Sequence, residues 1–259
     1  MTLFSTSIPA KRQQLILNYL TENHSITIKE AASICNVSEA TARRDIDDMA
    51  MDFILERTHG GAVLSKATVF EAINAEKMKL MVPEKIAIAK EATKYITDGS
   101  SIFLDSGTTT FFLAQELFVF KNLTVITNNL DIVHKVKLDS SSSLIATGGL
   151  RRDEYSVLLG NIAEETVSKL CADISFLGAD AISPELGIYN SNIMEIGIKK
   201  QILECGRKKI LLTDHSKFGQ RALAKICELK EFDVVITDKN LNIEVKDAVE
   251  KSISNLIIV

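Results

Sequence analysis

No stretch of this chain approaches the roughly 18 consecutive apolar residues of a membrane-spanning helix, so a membrane protein is not expected. The opening Met1-Thr2-Leu3-Phe4 lacks a basic segment followed by an apolar core, which argues against a signal peptide and for a cytoplasmic location. Cysteine is scarce: Cys35, Cys171, Cys205 and Cys227 form no C-x-x-C pair. His24, His59, His134 and His215 are equally dispersed, and no metal-ligand spacing exists. Reduced, buried thiols and no structural metal or cofactor are therefore expected. An excess of positive charge is also missing. Against 30 Lys and Arg stand 34 Asp and Glu, a formal net charge of -4, which excludes nonspecific polyanion binding as the main activity. No fixed-length repeat is visible. The 259 residues suffice for one small domain and a larger one with its own core.

What is present begins with Ser38-Glu39-Ala40-Thr41-Ala42-Arg43-Arg44-Asp45-Ile46. Ala42, Ile46, Met49 and Phe53 recur at i, i+4, i+7 and i+11, one narrow apolar stripe of a helix. Ser38 is placed to cap that helix. Glu39, Thr41, Arg43 and Arg44 then lie on its exposed N-terminal half, where arginine can pair with guanine and threonine can touch a phosphate or a thymine methyl. Upstream, Thr27-Ile28-Lys29-Glu30 is a capping box opening a short helix that ends near Cys35, and Asn36-Val37 turns into the next helix. A first helix starts near Pro9 and carries Ile16, Tyr19 and Leu20 on one face. Downstream, Ile54-Leu55-Glu56-Arg57 and Ala62-Val63-Leu64 flank Gly60-Gly61 as a two-stranded wing beside His59. The pattern predicts a winged helix-turn-helix over residues 1–64; a helical packing module with solvated charges is the alternative from spacing alone. Up to Leu64 there are six basic and eight acidic residues, so affinity for DNA must come from where charge is placed.

After a linker over 65–83, a long helix from Glu84 (Ile86, Ile88, Ala89, Ala92, Tyr95, Ile96) precedes alternating apolar runs and helical patterns. The runs at 101–104, 123–126, 144–146, 174–177, 210–212 and 234–236, with 256–259 as a terminal strand, predict a mainly parallel, Rossmann-like α/β domain over 84–259. Open parallel sheets bind ligands beyond the carboxyl ends of their strands. Those ends read Asp105-Ser106-Gly107-Thr108-Thr109-Thr110, Thr127-Asn128-Asn129, Thr147-Gly148-Gly149 with Arg151 behind, Gly178-Ala179-Asp180-Ala181, and Asp214-His215-Ser216-Lys217. The first is either a phosphate cradle on a helix N-terminus or a plain strand-to-helix connector. It lacks the lysine and spacing of a P-loop, so nucleotide hydrolysis is not indicated. Glu195 and Lys199, four apart on a helix, join the rim or form a surface ion pair. A small phosphorylated polyol fits the donor set best.

The quoted helix and the His59-Gly60-Gly61-Ala62 motif, at their spacing, resemble the DeoR family of bacterial transcriptional regulators. The region from Glu84 to Lys239 resembles that family's effector-sensing domain, itself similar to ribose-5-phosphate isomerases, glucosamine-6-phosphate deaminases and coenzyme A transferases. Ala42 stands where the family usually has a larger aliphatic residue, Ala181 where it often has glycine, and His215 lies inside the Asp214–Lys217 turn. The resemblance implies Asp105, Gly107, Thr108 and Thr109 around a phosphate. It implies Asn128, Gly148, Arg151, Asp180, Glu195, Lys199 and Lys217 near the sugar. Thr27, Lys29, Ser38, Glu39, Thr41, Arg43, Arg44, Arg57 and His59 are the candidate DNA contacts. The expected function is a repressor of a carbohydrate operon whose affinity for double-stranded operator DNA is set by a phosphorylated sugar. One recognition helix reads few base pairs, so a homo-oligomer, dimer or tetramer, is expected. The competing class is an enzyme, a sugar-phosphate isomerase or deaminase using Asp105, Asp180, Glu195 and Lys217; such an enzyme has no need of the N-terminal module.

Overall fold

The computed structural model describes residues 9–23, 25–51, 55–64, 77–152, 156–253 and 255–259. They fall into two compact units, one up to Lys77 and one from Met78 onward. Phe53, Ile54, His24 and most of the expected linker lie outside the described residues.

In the first unit, α1 (Pro9–Asn23), α2 (Ile28–Cys35) and α3 (Glu39–Met51) enclose a small core. Ile16, Leu20, Ala31, Cys35, Ala42, Ile46 and Met49 are all buried in it. Ala42 thus fills a fully covered position despite its size. The capping box forms as expected: the Thr27 hydroxyl accepts from the Glu30 N–H at 3.2 Å, and Glu30 Oε2 accepts from the Thr27 N–H at 2.8 Å. Asn36 ends α2 in the left-handed region at φ 51°, which turns the chain into α3. Ser38 Oγ accepts from the Thr41 N–H at 3.2 Å.

The wing has one strand more than its sequence suggested. β2 (Leu55–Thr58) and β3 (Gly61–Leu64) pair antiparallel, and β1 (Ser25–Thr27) adds to the far side of β3. Three residues of strand directly before a helix cap carry too short a pattern to separate from the cap itself. Gly61 makes the addition possible: a Cβ there would lie 1.9 Å from the Ile26 carbonyl oxygen.

Arg12 and Asp45, two of the charges counted above, are buried together. The Arg12 Nε and Nη2 donate to the two Asp45 oxygens at 2.7 and 2.8 Å, a bidentate pair that ties α1 to α3. Removing one side of a buried ion pair costs about 3–5 kcal/mol. Asp45→Ala should therefore lower the stability of this unit by about that amount, read as faster amide exchange throughout α1 and α3 in urea. A loss under about 1 kcal/mol would show that the pair holds nothing.

The second unit is built on a seven-stranded sheet, ordered β15-β14-β12-β9-β4-β5-β6, and every adjacent pair in it is parallel. The strands are β4 (Ser101–Leu104), β5 (Thr124–Thr127), β6 (Ser143–Ala146), β9 (Ala172–Leu177), β12 (Gly206–Leu212), β14 (Val234–Thr237) and β15 (Leu256–Ile258). Each apolar run read from the sequence is one of them. β14 is buried at every position, so both faces of the sheet are covered there. β7 (Leu150–Arg152) and β8 (Val157–Leu159) pair antiparallel, and α7 (Asn161–Ser168) follows. β10 (Ala181–Ser183), β11 (Gly187–Asn190) and β13 (Ala224–Cys227) form a small antiparallel sheet that the run analysis missed.

After a helical stretch over 77–79, α4 (Val82–Thr93) begins two residues before the expected Glu84 and ends earlier than expected: Tyr95 and Ile96 lie beyond it. Ile96 is still buried, so the apolar spacing recorded core contact rather than helix. The expectation of buried thiols holds for Cys35 and Cys227 but not for Cys171, which is exposed, or for Cys205, which is half-buried. Both lie where strands begin, at the edge of the core. The chain order places successive strands outward from β4 in one direction, then from β9 in the other, so the switch point lies between β4 and β9.

Candidate functional site

At the switch point the loops after β4 and β9 meet backbone to backbone. A Cβ placed on Gly107 would lie 3.4 Å from the Gly178 Cα, so side chains on both residues would fill the gap. Asp105, fully buried at the end of β4, accepts the Gly178 N–H at 3.0 Å through Oδ2. The same oxygen accepts from Lys199 Nζ at 2.5 Å. Lys199 comes from the first turn of α8 (Ile196–Cys205) and is also buried.

Glu195 precedes that helix and is held by Asn192, whose Nδ2 donates to its Oε1 at 3.1 Å. Asp180 follows β9 and accepts the Ser191 N–H at 2.9 Å. Burial penalises the Lys199 ammonium, but Asp105 and Glu195 outweigh that cost and hold its pKa above the ordinary lysine value. Burial likewise pushes the Glu195 carboxyl up, aided by Asp105 and Asp180 and only partly countered by Lys199. The open alternative for Glu195 and Lys199 is thereby resolved: neither forms a surface pair, and the lysine's short contact is with Asp105.

Beside this cluster, α5 (Thr108–Gln115) starts at Gly107, which has no side chain to cap it. The first-turn N–H groups of Thr108, Thr109 and Thr110 therefore keep their donor capacity, and the helix dipole adds positive potential. Thr110 Oγ1 donates instead to the Asp105 and Gly107 carbonyls, at 2.7 and 2.6 Å, which stiffens the turn. Asn129, not among the expected site residues, binds the two loops together: its Nδ2 donates to the Ser106 carbonyl at 3.2 Å while its Oδ1 caps α6 (Leu130–Lys135). Asn128 is buried against β8, donating through Nδ2 to the Leu158 carbonyl at 3.4 Å; its Oδ1 has no donor among the described residues.

Gly148, at φ 68°, and Arg151 follow the edge strand β6, and Arg151 is exposed. Lys217 follows β12 and is half-buried. Among the described residues, no hydrogen bond or ion pair joins Arg151 or Lys217 to the Asp105 cluster. Sequence reasoning also missed Asp238, buried after β14, which accepts the His215 N–H at 2.7 Å and lies 2.9 Å from its Nδ1. Burial works against its charge, but the N–H groups of His215 and Asn240 hold its pKa below the usual carboxylate range. The strand-end rule applied to Thr237-Asp238 would have found it.

In the first unit Ser38, Glu39, Arg43 and Arg44 are exposed along α3, as are Thr27, Lys29 and His59; Thr41 is half-buried. Among the described residues Arg43 and Arg44 have no ion-pair partner. Arg57, another candidate DNA contact, pairs with Asp47 of α3 at 2.5 Å. That contact pins the wing strand to the helix.

A winged helix-turn-helix with free arginines on its third helix, carried on one chain with an α/β unit whose buried polar cluster sits at a switch point, defines a class: a transcription regulator with a sensing domain. Comparison with known families specifies it. The DeoR-like helix-turn-helix domain matches residues 12–68 and the DeoR C terminal sensor domain matches residues 81–239. The chain belongs to the DeoR family of transcriptional regulators. It is 33% identical over 234 residues to an uncharacterized HTH-type transcriptional regulator of Haemophilus influenzae, covering 90% of this chain and 91% of that one. It is 32% identical to the HTH-type transcriptional regulator GolR of Listeria innocua, covering 90% and 92%. With the glycerol-3-phosphate regulon repressor of Escherichia coli it shares 28% identity, covering 88% and 90%. Among solved structures, ribose 5-phosphate isomerase A of Methanocaldococcus jannaschii overlaps at a TM-score of 0.36 and 21% identity, over 52% of this chain and 53% of that one.

The raised pKa of Glu195 has a consequence with a definite sign. A carboxyl whose folded pKa exceeds its unfolded value favours folding below the unfolded pKa, and that contribution is lost as pH rises through the folded pKa. Glu195→Gln should therefore become progressively more stable than the parent as pH rises from about 4.3, the unfolded glutamate value, through the raised folded pKa. Urea unfolding of both proteins at several pH values measures it; a pH-independent difference would contradict the burial cost. Lys199→Ala acts the other way, leaving Asp105 buried without its cation, and should cost about 3–5 kcal/mol in the same assay.

Proposed function

We propose that this protein represses a carbohydrate-metabolism operon and that a phosphorylated sugar or polyol, bound at the β4–β9 switch point, changes its affinity for operator DNA. The observation that carries the reading is the uncapped α5 N-terminus beside the buried Asp105, Lys199 and Glu195: N–H donors suited to a phosphate, next to charged groups suited to hydroxyls. Asp105, Gly107, Thr108 and Thr109 take the phosphate end; Asn128, Asp180, Glu195 and Lys199 take the sugar, with Gly148, Arg151 and Lys217 on the segments after β6 and β12 that come to bear when ligand is present. Relatives named as the glycerol-3-phosphate regulon repressor and the putative aga operon transcriptional repressor, both of Escherichia coli, support the assignment.

On the DNA side, Arg43 and Arg44 enter the major groove with Glu39 and Thr41, while Ser38, Thr27, Lys29, Arg57 and His59 lie along the backbone. Two or more copies are needed to read an operator, so the working form is a homo-oligomer, in the cytoplasm where its DNA lies. The protein is not an enzyme in this reading. Glu195 and Asp180 have the chemistry of acid-base groups, but a sugar-phosphate isomerase or deaminase would leave the DNA-binding unit without a role.

The experiment is a fluorescence-anisotropy titration onto DNA from the protein's own upstream region at fixed salt, with and without a panel of phosphorylated and unphosphorylated sugars. One phosphorylated sugar is expected to shift operator affinity at least about tenfold, a coupling of about 1.4 kcal/mol. Unchanged affinity under saturation by every sugar removes the sensor reading. Arg44→Ala is expected to weaken operator binding by about 1–3 kcal/mol, and wild-type affinity in that variant removes α3 as the recognition helix.

A further inference from the structure

Two of the four thiols sit outside both sites, at the entrances of neighbouring strands. Cys171 immediately precedes β9 and Cys205 immediately precedes β12, because α8 runs into β12 without a loop. The two strands are parallel neighbours with Ala172 opposite Gly206, and one residue further on Arg207 lies 3.6 Å from Asp173. Cys171 and Cys205 are therefore the residues one step before a paired position. Where Ala172 and Gly206 pair, parallel neighbours run about 4.8 Å apart, and a disulfide spans a Cα separation of about 4.4–6.8 Å. Cys171 is exposed and Cys205 half-buried. Burial raises the pKa of the Cys205 thiol, and the Cys171 thiol is close enough to raise it further. The division of labour follows: one thiol open to solvent, the other shielded and adjacent.

We infer that Cys171 and Cys205 form an oxidant-responsive dithiol site, closed to an intrachain disulfide by a small peroxide. The Cys171 thiolate attacks a peroxide oxygen, the O–O bond breaks, and a sulfenic acid forms with loss of water. The Cys205 thiolate then attacks the sulfenic sulfur, the S–O bond breaks, and a second water leaves as the S–S bond forms. Two thiols give up two electrons and two protons, and one hydrogen peroxide becomes two waters. A thiol reductant reverses the step. The bond would tie the start of β9 to the last residue of α8, the helix whose first turn supplies Lys199 to Asp105.

The test treats the full chain with hydrogen peroxide, blocks remaining thiols, and digests without reduction. Trypsin separates the two cysteines onto peptides 170–199 and 201–207, which are expected to appear cross-linked and to separate again with dithiothreitol. Cys205→Ser should halt the reaction at a Cys171 sulfenic acid that dimedone traps, and Cys171→Ser should slow oxidation of Cys205 by at least about tenfold. Circular dichroism of both variants checks that they are folded. Cys171 over-oxidised to sulfinic acid in the parent, or linked to a second chain while Cys205 remains a thiol, overturns the inference.

Discussion

The second unit depends on a salt bridge placed where water does not reach. Asp105 and Lys199 come from different elements, the end of β4 and the first turn of α8, and the Gly178 N–H brings the end of β9 to the same carboxylate oxygen. Two charges removed from water are costly unless each finds good partners. Here the partners come from the three elements that meet at the switch point, so the contacts that offset desolvation also fix how those elements meet. Around this ammonium stand three carboxyls, Asp105, Asp180 and Glu195. With all three ionised the cluster would carry an excess negative charge in a medium of low polarity. Burial is the main reason the Glu195 pKa is raised, and the neighbouring Asp105 and Asp180 carboxylates push it in the same direction against the Lys199 ammonium.

The first unit applies the same principle on a smaller scale. It is net acidic by sequence, yet two of its charges, Arg12 and Asp45, neutralise one another inside the core. A further pair, Arg57 and Asp47, joins wing to helix at the surface, where screening makes it weaker. What remains on the exposed face of α3 includes Arg43 and Arg44 without ion-pair partners among the described residues. The distribution of charge that DNA would meet is therefore not the one a count of residues suggests. The Arg12–Asp45 pair also orients α3, because a bidentate contact fixes direction as well as distance.

Local features were read well because local physics decides them. The Thr27–Glu30 capping box, the Ser38 cap and the Ala42, Ile46, Met49 stripe are made by residues within a few positions of one another. Parallel strands buried on both faces also announce themselves as short apolar runs, and all seven were visible. The three-residue strand β1 was not, nor the small sheet of β10, β11 and β13, since short strands at an edge carry little pattern. Asp238 follows a strand that is plain in the sequence, but a single acidic residue after an apolar run carries no pattern of its own. Cys171 and Cys205 were expected to be buried because average thiols are, and nothing local marks a strand entrance that opens to solvent.

The sequence by itself determined the class of fold, the helix-turn-helix with its caps, the succession along the chain of the seven parallel strands, and most of the polar residues that end them. All of these follow from backbone geometry and spacing along a short stretch of chain. Only the tertiary structure decided which charges meet. Lys199 pairs with Asp105, 94 positions away, rather than with Glu195 four residues before it, and Arg12 reaches Asp45 across 33 positions. Such partnerships depend on strand order and helix packing, where distance in space is independent of distance along the chain. The strength of an ion pair in turn depends on the burial that this packing creates.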